Sequence, residues 1–166
     1  MKREDGIGSV AVIEVNPSEH LGTIRELFRE YAGSIEIDLC FQNLEGELAE
    51  LPGKYAPPAG RLLLGLEAGE PAGCVALRPL AAGICEMKRL YVRSHFRRKG
   101  LGRRLARTVI KAAGEIGYER MRLDTLASMK EAIALYKSLG FYRIEPYCHN
   151  PSPSAVFMEL SLRGAG

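Results

Sequence analysis

Glu86-Met-Lys-Arg-Leu-Tyr-Val-Arg-Ser-His-Phe-Arg-Arg-Lys-Gly-Leu-Gly102 runs from an alternating segment, through a short polar link, into a segment of helical period. Alternation ends at Val92, and beyond the link the apolar residues Leu101, Leu105, Val109 and Ala112 recur at helical spacing. The order is strand, glycine-containing turn, helix. The first turn of a helix leaves backbone N–H groups unpaired at the positive end of the macrodipole, so glycines there let a phosphate approach the main chain with no Cβ in the way. Charge agrees with an anion site. Lys88, Arg89, Arg93, Arg97, Arg98, Lys99, Arg103, Arg104, Arg107 and Lys111 follow one another with no Asp or Glu between them, in a chain of formal net charge +3. The dinucleotide fingerprint is absent, because Gly-x-Gly-x-x-Gly would need a glycine where Arg103 or Leu105 stands, and there is no Gly-x-x-x-x-Gly-Lys-Ser/Thr.

What remains is Arg97-x-x-Gly100-x-Gly102 after a strand. It resembles the pyrophosphate-binding motif of the GNAT superfamily of acetyl-CoA-dependent N-acetyltransferases, Gln/Arg-x-x-Gly-x-Gly/Ala. Ala132-x-x-Leu135-Tyr136-x-x-x-Gly140-Phe141 resembles the second signature of the same superfamily, and the preceding strand ends Leu90-Tyr91-Val92 as the family's does. The resemblance spans roughly Val10 to Leu162.

The chain has 166 residues, the length of one domain, here 1–166 with a core over about 10–162. An apolar fraction of 46% and a charged fraction of 26% are those of an ordinary globule. No apolar run approaches a membrane span, and Val10 to Val15 is too short for a signal peptide, so the expected compartment is the cytoplasm. Cys40, Cys74, Cys85 and Cys148 are scattered without a Cys-x-x-Cys, which predicts free thiols and no metal site.

Strands are expected over Val10–Val15, Arg61–Leu66, Gly73–Leu80, up to Val92, Met121–Thr125, Phe141–Ile144 and Ala155–Leu162. Helices are expected from Asn16 to Gly33, from about Phe41 to Leu51, from Leu101 to Gly117 and after Ser128, where Ser128 and Glu131 have capping-box spacing. Hairpins first and helix–strand alternation later imply a mixed α/β fold. The resemblance implies the GNAT fold, a mostly antiparallel sheet of about seven strands flanked by helices on both faces. In that fold the strands carrying Glu86–Val92 and Met121–Thr125 are parallel and splay apart, with the pantetheine arm of acetyl-CoA in the gap.

By the same motif match, Leu90, Tyr91 and Val92 would face the thioester arm and Arg97, Arg98, Lys99, Gly100, Leu101 and Gly102 the pyrophosphate. No metal is implied. Acetyl transfer to an amine needs a polarised carbonyl, an amine that loses its proton and a thiolate that gains one. Tyr136 is the candidate acid, since a phenol is protonated at neutral pH, and a core tyrosine is the competing reading. Glu86 is the candidate base: two pleats before Leu90, it should share a face with Leu90 and Val92. A solvated or Lys88-paired glutamate is the alternative, and His149 is the second candidate base. Where many family members have an asparagine seven residues before the tyrosine, this chain has Met129, which supplies no amide donor.

A basic helix also suits nucleic acid, but no aromatic residues interleave its cations for base stacking, and a pI of about 8.7 is modest. A module that binds acetyl-CoA without transferring acetyl is the other alternative. The expected partners are acetyl-CoA and an amine, with neither nucleic acid nor membrane; many relatives pair, so monomer and homodimer both stay open. From Glu26 to Glu50 the acids Glu26, Glu30, Glu36, Asp38, Glu45, Glu47 and Glu50 face a single cation, Arg29. In the family this segment forms the acceptor side, and a cleft of one sign concentrates ligands of the other, which predicts a preference for cationic acceptors.

Overall fold

The computed structural model describes residues 9–35 and 44–163. Strand β1 (Val10–Glu14) leads into Asn16, whose Oδ1 accepts the Ser18 N–H at 3.0 Å, and Pro17 opens helix α1 (Pro17–Ser34). That is the cap and the N1 proline expected from the sequence. Helix α2 (Leu44–Glu50) is the described part of the helix expected from Phe41; residues 41–43 lie outside the described residues, as do residues 1–8. Strands β2 (Arg61–Glu67) and β3 (Glu70–Ala81) are joined by Ala68 and Gly69, with φ of 49° and 82°. Two central residues with positive φ match the right-handed twist of a hairpin. Then follow β4 (Ile84–Val92), α3 (Leu101–Ile116), β5 (Arg120–Leu126), α4 (Lys130–Ser138), β6 (Tyr142–Ile144) and β7 (Ala155–Ser161).

The strands form one sheet of order β1-β2-β3-β4-β5-β7-β6, antiparallel at every junction except β4–β5, which is parallel. Helices α1 and α2 cover one face through Ile24, Leu27, Phe28 and Leu48, packed on Leu62, Leu64, Cys74 and Ala76. Helices α3 and α4 cover the other through Leu101, Leu105, Val109 and Tyr136, packed on Leu63, Val75, Leu77 and Met87. This is the mixed sheet with helices on both faces that the element order implies. No helix among the described residues is long and apolar enough to cross a membrane.

Two irregularities position the site. The β4–β5 ladder comprises only Ile84↔Arg120, Cys85↔Met121 and Glu86↔Arg122, although both strands continue, so the sheet opens beyond Glu86. Strand β4 also carries a bulge. Tyr91 opposes Cys74 and Lys88 opposes Ala76, three steps against two, and Arg89 has φ of 60°. An inserted residue reverses the alternation of side chains. Cys85 and Met87 face α3, and so do Leu90 and Val92 beyond the bulge, whereas Tyr91 faces α1. Glu86 therefore lies on the face opposite Leu90 and Val92, which corrects the expectation from uninterrupted alternation.

The capping box at Ser128 and Glu131 is also corrected. The Met129 N–H bonds the Leu126 carbonyl at 2.9 Å and the Met129 carbonyl accepts the first helical bond, from Ile133 at 3.0 Å, so Met129 is the N-cap and no side chain caps α4. At the other end Gly140, with φ of 102°, makes the expected left-handed stop, and the Phe141 N–H returns to the Tyr136 carbonyl at 3.0 Å.

Glycines of β3 and α1 make opposite predictions. A Cβ at Gly73 would stand 2.5 Å from the Tyr91 carbonyl oxygen, a backbone atom beside the bulge, whereas one at Gly22 in exposed α1 would meet nothing within 4 Å. Gly73→Ala should cost about 1–3 kcal/mol and lower Tm by roughly 2–12 °C, while Gly22→Ala should raise stability by about 0.5–1 kcal/mol. Thermal unfolding of the two variants measures both.

Candidate active site

Where β5 leaves β4, a cleft of about 620 Å³ opens between the end of β4, the start of α3 and α4. Its walls bring together Leu90, Tyr91, Val92, Arg97, Arg98, Gly100, Leu101, Gly102 and Tyr136. Lys99 is the exception among the candidates around this cleft, because its Nζ bonds the carboxylate of buried Glu67 at 3.0 Å. Gly100 caps α3 with φ of 82°, a conformation glycine adopts without a Cβ penalty. Among the described residues the N–H groups of Leu101, Gly102 and Arg103 have no acceptor, as the first turn of a helix requires. A Cβ on Gly102 would sit 3.7 Å from Val92 Cγ2, ordinary contact, so alanine fits there and only a longer side chain would fill the cleft.

The free edge of β4 follows from one hydrogen bond. The Arg93 N–H points to β3, donating to the Ala72 carbonyl at 2.8 Å, so strand alternation turns the main-chain groups of Val92 toward the gap. The Val92 carbonyl accepts from Arg97 Nε at 2.9 Å, and this bond fixes the Arg97 guanidinium beside the Tyr91 ring. Arg98 makes no such bond among the described residues. Of the basic stripe on α3, Arg103 bonds Ser138 Oγ at 2.9 Å and Arg104 the Val10 carbonyl at 2.6 Å.

Tyr136 is 7% exposed and its ring packs against Phe141, as a core tyrosine would. Its hydroxyl nevertheless has no hydrogen-bond partner among the described residues and lines both the cleft and a second cavity. Burial first, then the fields of Tyr31 and Asp124, push its pKa above the ordinary phenol value.

The second cavity, about 250 Å³, shares Tyr31, Leu90, Met129 and Tyr136 with the cleft and extends toward Arg78, Lys88, Asp124 and the loop Cys148–Pro151. His149 is in that loop wall. Met129 stands at the junction, with Thr125 Oγ1 3.5 Å from its sulfur. Glu86 borders the cavity, but it is 1% exposed and its oxygens are taken: Arg78 donates to Oε1 from Nε at 2.7 Å, and Tyr147 donates to Oε2 at 2.5 Å. Both carboxylate oxygens are thus engaged by donors of the protein itself. Asp124 is the carboxylate that the sequence reading missed. In Met121-Arg-Leu-Asp-Thr125 the apolar residues alternate with Arg122 and Asp124, and in a parallel neighbour of β4 that places Asp124 on the face of Glu86 and Lys88.

The acids of the 26–50 segment do not line this cavity among the described residues. Glu26 and Glu30 hold Arg93 at 3.2 and 2.7 Å, Glu45 holds Arg29 at 3.2 Å, and Glu47 takes Arg89 at 2.8 Å and the Tyr55 hydroxyl at 2.6 Å. The Arg93 hydrogen bond holds Glu30 below the usual carboxylate range. Burial pushes Glu47 up, but the charge of Arg89 and the bonds from Tyr55 and Arg89 outweigh it, and its pKa is also lowered. Glu26, Glu30, Glu45, Glu47 and Glu50 thus give this cavity no acidic wall; Glu36 and Asp38 lie outside the described residues, as does Cys40. Cys74, Cys85 and Cys148 are free thiols, and burial raises Cys85 to about 12. Among the described residues no group of three His, Cys, Asp or Glu is placed to hold a metal ion.

Comparison with known proteins agrees with this geometry. The family model described as the acetyltransferase (GNAT) family matches residues 21–141. An uncharacterised N-acetyltransferase of Schizosaccharomyces pombe is 42% identical over 156 residues, covering 93% of this chain and 96% of that protein. Among solved structures, a GNAT-family acetyltransferase of Staphylococcus aureus superimposes with a TM-score of 0.78 at 20% identity, over 93% of this chain and 100% of that one. A Salmonella typhimurium acetyltransferase solved with its cofactor acetyl-CoA does so with a TM-score of 0.71 at 20% identity, over 93% of this chain and 95% of that one. The splayed parallel pair, the glycine-capped helix at its mouth and these matches lead to one conclusion: the chain belongs to the GNAT family of N-acetyltransferases and is an acyl-transferring enzyme.

Proposed function

We propose that the enzyme transfers the acetyl group of acetyl-CoA directly to the amine of a small acceptor. One observation carries this reading: the cleft and the second cavity meet at Leu90, Met129 and Tyr136, so a thioester arm lying along β4 would present its carbonyl to whatever fills the smaller cavity. The main chain of Leu90–Val92 would hold the arm as a missing strand would. The first-turn N–H groups of α3 and the Arg98 guanidinium would take the pyrophosphate.

The chemistry assigned to the side chains balances. The amine nitrogen attacks the thioester carbon, the C–N bond forms, and the C–S bond breaks after the tetrahedral stage. Tyr136 gives its proton to the departing sulfur, a role suited to a phenol that burial keeps neutral. The acceptor ammonium first gives one proton to solvent, and Asp124 receives the second from the attacking amine, directly or through water, while Glu86 stays bound to Arg78 and Tyr147 and holds the acceptor wall in place. Solvent exchange at Asp124 and Tyr136 then restores both. His149 also reaches the wall and is the alternative proton acceptor.

Three outcomes are expected. Gly100→Val, which forces a branched residue to φ near 82°, and Arg98→Ala should each weaken acetyl-CoA affinity in calorimetry, the glycine variant more. Unchanged affinity in both would remove the pyrophosphate from this turn. Tyr136→Phe should keep acetyl-CoA affinity and slow CoA release by about 10²- to 10⁴-fold. Asp124→Asn should slow transfer similarly with acetyl-CoA affinity kept, whereas Glu86→Gln should lower Tm and leave the rate of the folded fraction within a few-fold of the parent. The reverse pattern would return the base to Glu86.

A further inference from the structure

Lys88 and Asp124 are the first residues beyond the last β4–β5 pair, Glu86↔Arg122, on the face that carries the acceptor cavity. They stand within ion-pair distance of each other. Lys88 Nζ is 3.8 Å from Asp124 Oδ1 and 4.0 Å from Glu86 Oε1, too far to donate a hydrogen bond, and it donates none among the described residues. Asp124 Oδ2 accepts the Asn150 amide at 3.0 Å, and Oδ1 accepts nothing among the described residues. Neighbouring guanidinium pairs behave otherwise: Arg78 reaches Glu86 at 2.7 Å and Arg122 reaches Glu159 at 2.8 Å. With side chains 22% and 18% exposed, Lys88 and Asp124 are a largely desolvated cation and anion, side by side, each lining the same cavity.

The geometry points to a zwitterionic acceptor, an α-amino acid whose ammonium is taken by Asp124 and whose carboxylate is taken by Lys88. This rests on the acetyl-transfer reading above and names the substrate class of that site. An α-amino acid carries both charges on one carbon, as neighbouring as the two side chains that would receive them. Asp124 and Tyr136 line the same cavity, so an amine held by Asp124 occupies a space that Tyr136 also borders. Size agrees: about 250 Å³ is below the roughly 300–1,000 Å³ of ordinary ligand pockets, so one amino acid is accommodated more readily than a folded chain terminus.

The test measures thiol release from acetyl-CoA with each of the twenty amino acids, and with the α-amide and the decarboxylated amine of the best of them. A charge-assisted contact to Lys88 predicts that the amino acid exceeds both analogues in kcat/KM by about 10- to 100-fold. Lys88→Met should bring that ratio to near one with the KM for acetyl-CoA unchanged, and Lys88→Arg should restore most of it. The ratio of two acceptors on one preparation does not depend on the fraction of protein that is folded, so a destabilised variant still reports. Analogues equal to or better than the amino acid, or a ratio that survives Lys88→Met, would overturn the assignment while leaving acetyl transfer standing. Transfer to no amine at all, with acetyl-CoA bound, would overturn both.

Discussion

The parallel pairing of β4 with β5 stops at Glu86↔Arg122, and the cleft and the smaller cavity both lie at or beyond that stop. A parallel sheet that stayed paired would leave no free main-chain edge at Val92 and no cleft in front of α3. Leu101 and Tyr136 pack in the α3 and α4 layer on one face of the sheet, and Arg78 and Tyr147 converge on Glu86, the last paired residue of β4. A buried carboxylate with such donors is expensive to break, on the order of 3–5 kcal/mol when one partner is removed, so the last pair before the gap is a fixed post.

The bulge at Arg89 is the second half of the same device. Because it reverses the alternation of β4, the residues before it present Glu86 and Lys88 to the smaller cavity, and beyond it Val92 lines the cleft while Leu90 lines both. One strand thereby lines two cavities that meet at Leu90. Arg89, whose left-handed backbone makes the bulge, is itself held by Glu47 of α2.

Charge is used mainly for assembly. The acidic α1 and α2 segment and the basic β4 segment meet in Glu30–Arg93 and Glu47–Arg89 pairs that tie the helical layer to the sheet. Close pairing lowers the pKa of both carboxylates, which keeps them ionised and bound to the strand they face. Arg98 at the start of α3 lines the cleft, and Lys88 lines the smaller cavity.

The element order, the helix caps at Asn16 and Gly140, the glycine turn at Gly100 and the inward position of Tyr136 were legible in the sequence because each depends on local chemistry: a cap side chain, a positive φ, a helical period. So was the family, through motifs confined to a few consecutive residues. The side on which Glu86 points was not, because period-two counting assumes that no residue is inserted, and the bulge arises from how β4 fits β3 rather than from any residue of β4 alone. Nor was the fate of the acidic segment, since a row of carboxylates reads the same whether it faces solvent, a substrate or an arginine on a strand some sixty residues away, as Glu30 faces Arg93. Asp124 comes beside Lys88 only through the register of β5 against β4. Local sequence determines conformation and capping; distance between residues far apart in the chain is decided by packing, and the two cavities are made of such distances.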